Sequence, residues 1–232
     1  LFNVMRALKN LNISSFNTQN VTEMQEMFQY NSSLTSLDLS HFDTRKVTNM
    51  RSMFNGMSNV ISLDLSSFDT SRVTDMSSMF QSAAKLNSLN VSSFNTSNVI
   101  NMAAMFAYMS ELEDLDVSSF DTGRATNMYG MFSGVKKLRS LNVANFNTNA
   151  VTNMGYMFTN MAALENLNVN NFNTSAVTNM NNMFSGMTNL GSLNLSNFDT
   201  SNVKDMGGMF HNMKTITELN LSNFNTGNVL GM

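Results

Sequence analysis

The sequence repeats itself every 26 residues from one end to the other. Each repeat carries a phenylalanine, with a threonine two residues later, and no residue is inserted or deleted between repeats; the phenylalanines are Phe16, Phe42, Phe68, Phe94, Phe120, Phe146, Phe172, Phe198 and Phe224. A segment this short cannot bury a core of its own, so such repeats stack as the coils of a solenoid. We therefore predict that residues 1–232 form one solenoid of nine coils.

The apolar pattern within a repeat predicts the local structure of each coil. In residues 50–75 the first four apolar residues follow one another at steps of three, one and three, which favours a short helix over residues 50–57. Leu63 and Leu65 flank a polar residue, which indicates a short strand with one buried face. A second short strand around Val73 is left open by the pattern. Joined across coils, the first strands would form a parallel ladder.

Composition excludes several functional classes. The net charge is −3 and only 12% of the residues are charged, so neither nucleic acid nor an anionic membrane is an implied partner. No apolar run approaches the roughly 20 residues that span a bilayer, so we expect no membrane insertion within this segment. Both ends fall inside a repeat without a polar capping coil, and we expect either a fragment of a longer array or end-to-end self-association.

The repeat resembles that of a known family. Residues 34–44 read LTSLDLSHFDT and residues 47–54 read VTNMRSMF, and counterparts occur in every coil. These motifs resemble the BspA-like leucine-rich-repeat surface proteins, especially the branch found in mycoplasma surface lipoproteins and bacterial wall-anchored proteins. One departure is Phe42, which stands where a buried Asn or Cys usually closes the strand-side turn.

The resemblance implies a right-handed, leucine-rich-repeat-like α/β solenoid, with a short parallel strand and a short helix in each coil. It implies display outside the cell, at the cell surface, and a role in adhesion. The partner would be a protein or glycan of the host or of a neighbouring cell.

Small polar side chains alternate with the strand leucines and predict an exposed face, here called the polar face. It consists of Ser36, Asp38, Ser62, Asp64, Ser88, Asn90, Asp114, Asp116, Ser140, Asn142, Asn166, Asn168, Ser192 and Asn194. One interpretation is a binding surface for a glycan or an extended protein. The other is that these residues only solvate an open sheet, since Tyr, Trp and Arg, which dominate protein hot spots, are absent from the face.

The threonine column suggests a second hypothesis. Regularly spaced threonines on a flat face are typical of ice-binding solenoids. However, each threonine follows Asp or Asn, as Thr44 follows Asp43, and such pairs also hydrogen-bond to their own turn.

The Met-Phe pairs are expected in the core. Arg45, Lys46, Arg72 and Arg124 predict a solvated basic corner or a weak site for acidic ligands.

Catalysis is not expected. The only histidines, His41 and His211, lie seven coils apart and cannot share a metal or a proton. We assign no catalytic residue, no cofactor and no metal site, although Asp38, Asp64, Asp114 and Asp116 could form a weak cation site. The sequence thus favours a non-enzymatic adhesion or recognition module. The alternatives are a self-assembling filament or coat protein and an ice-binding solenoid.

Overall fold

The structure, a computed structural model that describes residues 1–232, is a stack of coils in which each residue lies beside its counterpart 26 positions on. One phenylalanine of each coil, from Phe2 and Phe28 to Phe210, belongs to a continuous column of nearly parallel rings. Their centroids are 5.6–6.2 Å apart and their planes differ by 3–11°. The predicted repeat solenoid is confirmed.

A single hydrophobic core runs the length of the stack and contains 63 buried residues. In a central coil such as residues 50–75, Met50, Met53 and Phe54 are completely buried. The second phenylalanine of each repeat packs at a tilt against the column phenylalanine of the same coil; the ring centroids of Phe68 and Phe54 are 6.4 Å apart. The Met-Phe pairs therefore lie in the core, as expected, where the flexible thioether fills the space beside the rings.

The predicted helix is wrong. Residues 50–57 and their counterparts, here called the turn segments, are runs of overlapping turns, and the chain contains no helix at all. The N–H groups of Met53, Asn55 and Met57 donate to carbonyls three residues back. Those of the alternate residues donate to the next coil, as Ser52 does to Ser77 at 2.8 Å. It follows that no helix crosses a membrane.

The turn segments do not form a helix because two residues in each adopt a left-handed backbone conformation. In the coil of residues 50–75 these are Ser52, with φ of 55°, and Gly56, with φ of 73°. Positive φ at these residues directs alternate N–H groups out of the coil. There they donate to carbonyl groups of the neighbouring coil instead of to carbonyls of their own segment, as in a helix. The steps of three, one and three fit consecutive turns as well as they fit a helix.

The predicted strand at Leu63 and Leu65 faces the core as expected but forms almost no ladder. Leu65 is buried and Leu63 is half-buried, yet in this part of the repeat only Ser88 and Asp114 form a parallel bridge. In this part of the repeat the side-chain oxygen of the intervening Asp or Asn accepts the N–H two residues on, as Asp64 does from Ser66, so the chain turns soon after the leucines.

Continuous parallel pairing occurs instead two residues beyond the column of Val73, where the sequence left a strand open. Eight successive single-residue bridges join Glu23 to Asn49 and so on to Gly231. On one side of this column the N–H of Thr74 donates to Thr48 of the preceding coil, and on the other that of Met76 donates to Asn101 of the following coil. Each coil is therefore bonded to both neighbours at this edge.

The threonines of the Phe-x-Thr motif hydrogen-bond each coil to the next. Thr122 is buried, its hydroxyl donates to the carbonyl of Asn147 at 3.0 Å, and the N–H of Asn147 donates back to the hydroxyl oxygen at 2.8 Å. Thr44, Thr70 and Thr148 repeat both bonds. One side chain thus satisfies two backbone groups of the neighbouring coil, which would otherwise be unpaired beside the core.

We predict that Thr122→Val destabilises the protein far more than Thr126→Val. Valine keeps the shape of threonine, but at position 122 it leaves the part-buried N–H and carbonyl of Asn147 without their partner, at a cost of about 1–3 kcal/mol. Thr126 is exposed and makes one long bond of 3.4 Å to Ile100, so its replacement should change stability by less than about 0.5 kcal/mol. Denaturant unfolding measures the free energy of unfolding of both variants. Equal losses of stability would contradict the role of the Thr122 hydroxyl in joining the two coils.

Candidate binding surfaces

All fourteen residues of the polar face are exposed, and successive coils bring them side by side. The side chains of Ser140, Asn142, Asn166, Asn168 and Ser192, from three neighbouring coils, line one shallow depression. The amide of Asn194 donates to Asn170 of the preceding coil at 3.0 Å. The polar face is thus a continuous strip along the stack.

Seven residues of the polar face are held by their own turns. The side-chain oxygen of each accepts the N–H two residues on, at 2.8–3.1 Å; they are Asp38, Asp64, Asn90, Asp116, Asn142, Asn168 and Asn194. The backbone N–H and hydroxyl of Ser40 hold the pKa of Asp38 below its ordinary value. The hydroxyl and N–H of Ser118 do the same for the pKa of Asp116. These side chains therefore present their remaining polar atoms from fixed positions.

The same turn recurs at two further columns of each coil. In residues 43–69 it is made by Asp43, Asn49 and Asp69, whose side-chain oxygens accept the N–H groups of residues 45, 51 and 71. The aspartate and asparagine side chains of these three columns are thus used to shape the backbone. No three acidic or histidine side chains come together, so the cation site suggested by sequence is not assembled.

The structure removes the reason for the ice-binding hypothesis. The threonines that prompted it, from Thr18 to Thr200, are 0–4% exposed and bonded to the next coil, rather than to their own turn as we expected. A second threonine column, which includes Thr126, is exposed, but Ile100, Lys204 and Leu230 interrupt it.

The basic corner is largely paired within the chain. The guanidinium of Arg45 lies 2.6 Å from the carboxylate of Asp43 and lowers the pKa of that carboxyl to about 2. Lys46 donates to Asn20 and Arg124 to Asn98, each one coil back. The corner is a solvated edge, which was the first of the two interpretations.

The histidines are far apart in the stack and have different surroundings. The Nε2 atom of His41 lies 2.9 Å from the carbonyl oxygen of Ile13, and its ring packs edge-on against Phe42. His211 lines an apolar depression on the last coil together with Met209, Phe210 and Phe224. In the inner coils the counterparts of these side chains are covered by the coil that follows.

Sequence reasoning missed the tyrosines. All four, Tyr30, Tyr108, Tyr129 and Tyr156, lie in turn segments, and none lies on the polar face. Tyr108 is 53% exposed and Tyr129 39%. The signal was available, because they are large side chains at positions that most other coils fill with Gly, Asn, Ser or Ala.

Fold and surfaces define a repeat solenoid whose exposed polar side chains are held in register. The chain belongs to the family described as "Mycoplasma protein of unknown function, DUF285", whose model matches residues 1–61, 56–166 and 161–232. The match confirms the mycoplasma part of the sequence resemblance. Among curated proteins, none matches this chain.

Two solved structures are similar in part. A crystal structure of a leucine-rich repeat protein from T. pallidum is 18% identical, with a TM-score of 0.47 over 73% of this chain and 72% of that one. The functional domain of InlJ from Listeria monocytogenes, which includes a cysteine ladder, is 14% identical, with a TM-score of 0.19 over 93% of this chain and 58% of that one. These identities are too low to transfer the function of either protein.

The turn-forming aspartates predict how stability depends on pH. Besides Asp43, folding lowers the pKa of five of them, so the stability they contribute is complete above the unfolded pKa of roughly 3.9 and is lost as the pH falls through the folded pKa. They are Asp38, Asp64, Asp69, Asp116 and Asp199. Replacing all five with Asn should reduce the loss of stability on acidification, because Asn keeps the turn, as Asn90 does, but does not titrate.

Thermal unfolding from about pH 7 to pH 3 measures this slope. In the matched control the same five positions become Ala, which removes the turn bonds and should lower the melting temperature at every pH. An Asn variant as sensitive to acid as the unsubstituted protein would contradict the prediction.

Proposed function

We propose that this protein is a non-enzymatic recognition module of the BspA-like leucine-rich-repeat type, displayed on the outer surface of the cell. It binds a protein or glycan of a host or neighbouring cell through the polar face. The observation that carries the proposal is the lattice of exposed polar side chains, seven of which are fixed by turns, with the pattern repeated in successive coils.

A lattice of this kind suits recognition because its groups are already ordered before a ligand arrives. The turn bonds of residues such as Asn142 and Asn168 hold the side chains in place, so binding would cost little additional conformational entropy. The stack of coils also gives an extended surface, which is what repeat proteins use to bind elongated partners. No apolar side chain is required at the contact for such a partner.

The family and the sequence resemblance support the location. The family is described as a mycoplasma protein family, and the motifs of residues 34–44 and 47–54 resemble those of surface lipoproteins and wall-anchored proteins. A module that recognises other cells acts at the surface, so both parts of the proposal agree.

Binding of the labelled protein to intact host cells tests this function. We expect saturable binding that disappears when the protein is unfolded by heat. The paired substitution Asn166→Lys and Ser192→Lys places two bulky charges on the polar face and should weaken binding at least tenfold. The matched control, Asn149→Lys and Ser175→Lys, adds the same charge at exposed positions off that face and should bind normally.

Unsaturable binding, or equal binding by both lysine variants, would overturn the proposal. Treating the cells with protease or with glycosidases before the assay then assigns the partner to a protein or a glycan.

A further inference from the structure

Three of the four tyrosines form one cluster on the turn segments of three successive coils. Tyr108, Tyr129 and Tyr156 belong to it, and the rings of Tyr129 and Tyr156 lie 5.3 Å apart at an angle of 51°. Partial burial raises the pKa of Tyr129, and Tyr156 and Tyr108 raise it further. These three residues are here called the tyrosine cluster.

Two members of the cluster occupy backbone positions that disfavour them. Tyr108 has φ of 59° and Tyr156 has φ of 58°, in the left-handed region where a bulky side chain is strained. Their counterparts in other coils include Gly134 and Gly186 for Tyr108, and Gly130 and Gly208 for Tyr156. The fold is satisfied by glycine at these positions, so its own stability does not explain the tyrosines.

The neighbouring coil makes room for the ring of Tyr108. Its Cδ1 atom would lie 2.7 Å from a Cβ atom added at Gly134, so the ring rests directly on a backbone without a side chain. Tyr30 rests on Gly56 of its own neighbouring coil in the same way. Because Tyr108 is nevertheless 53% exposed, part of the supported ring remains open to a ligand.

The turn segments around the cluster carry no charge. Five successive turn segments contain no Asp, Glu, Lys or Arg; they are residues 76–83, 102–109, 128–135, 154–161 and 180–187. In the first two complete coils, by contrast, Glu26 and Arg51 form an ion pair at 2.6 Å. None of the five segments exposes a large aliphatic side chain either. The aromatic rings are therefore the main apolar surface of this face.

Hydrogen-bonding groups flank the rings. The side-chain oxygens of Asn127 and Asn153 accept the N–H groups of Tyr129 and Gly155, both at 3.1 Å. Each amide nitrogen remains able to donate two hydrogen bonds, and the phenol hydroxyls both donate and accept. The face thus combines aromatic rings with neutral donors and acceptors.

We propose that the tyrosine cluster is a second binding site, which takes a neutral saccharide and is separate from the polar face. The C–H groups of a sugar ring pack on the aromatic faces, and its hydroxyls bond to Asn127, Asn153 and the phenol groups. An acidic glycan or nucleic acid would find no cation within these turn segments, and a protein partner would find too little apolar area for a stable interface.

Titration of the folded protein with a panel of neutral and acidic oligosaccharides tests the site. The chain has no tryptophan, so its intrinsic fluorescence comes from the four tyrosines and reports on this face. We expect a subset of the neutral oligosaccharides to change the fluorescence saturably. Tyr108→Gly and Tyr129→Ala should each reduce the affinity at least tenfold, and because both place a residue found at the same position in other coils, the melting temperature should not fall.

The matched control is Tyr30→Gly. Tyr30 occupies the same position as Tyr108 within its coil, but Arg6 lies over its ring at 5.8 Å and the charged pair of Glu26 and Arg51 is close by in the sequence. Its replacement should leave saccharide affinity unchanged. So should the lysine pair Asn166→Lys and Ser192→Lys on the polar face.

Three results would overturn the site: no neutral oligosaccharide binds, only acidic ones bind, or Tyr108→Gly and Tyr129→Ala bind as the unsubstituted protein does. Each leaves the proposed function standing if saturable cell binding still depends on the polar face. Conversely, saccharide binding that is lost in the tyrosine variants supports the site even when the polar-face variants bind cells normally.

Discussion

The stability of this fold depends on contact between matching parts of successive coils. The phenylalanine column, the buried threonine hydroxyls and the backbone bonds of the turn segments all join a residue to one that lies 25 or 26 positions away. A single coil contains neither a complete core nor a complete set of hydrogen bonds, so each coil is stabilised by its contacts with the two neighbouring coils. This explains the constant spacing, since one extra residue would displace every later ring, hydroxyl and N–H group from its partner.

The polar composition has the same origin. Asp and Asn recur because three turns in each coil need a side-chain oxygen to accept the N–H two residues on, as at Asp64, Asp69 and Asp75. Proline, which has no N–H, could not take part in the alternating bonds of the turn segments. The acidic residues thus shape the backbone rather than gather around a cation. What remains for recognition is the outer part of these side chains and the positions that the fold leaves undetermined.

The sequence predicted what repetition and hydrophobicity determine. The repeat, the core and the exposure of residues such as Ser140 and Asn142 follow from the 26-residue period and the inward leucines. The helix did not form, because the apolar steps suit turns equally well and the deciding partner, a carbonyl of the next coil, cannot be seen in one repeat. The role of Thr122 was missed for the same reason. The tyrosines could have been noticed as departures from Gly and Asn at fixed positions, but their proximity depends on the stack.

The most direct test compares two insertions. In one, residues 102–127 are duplicated, which adds a complete 26-residue coil; in the other, a single alanine is placed between Gly130 and Met131. Shared stability between coils predicts that the added coil leaves the melting temperature unchanged or raises it, whereas the single alanine lowers it sharply and exposes the later coils to hydrogen exchange. A protein that tolerates one residue as well as it tolerates 26 would contradict the account.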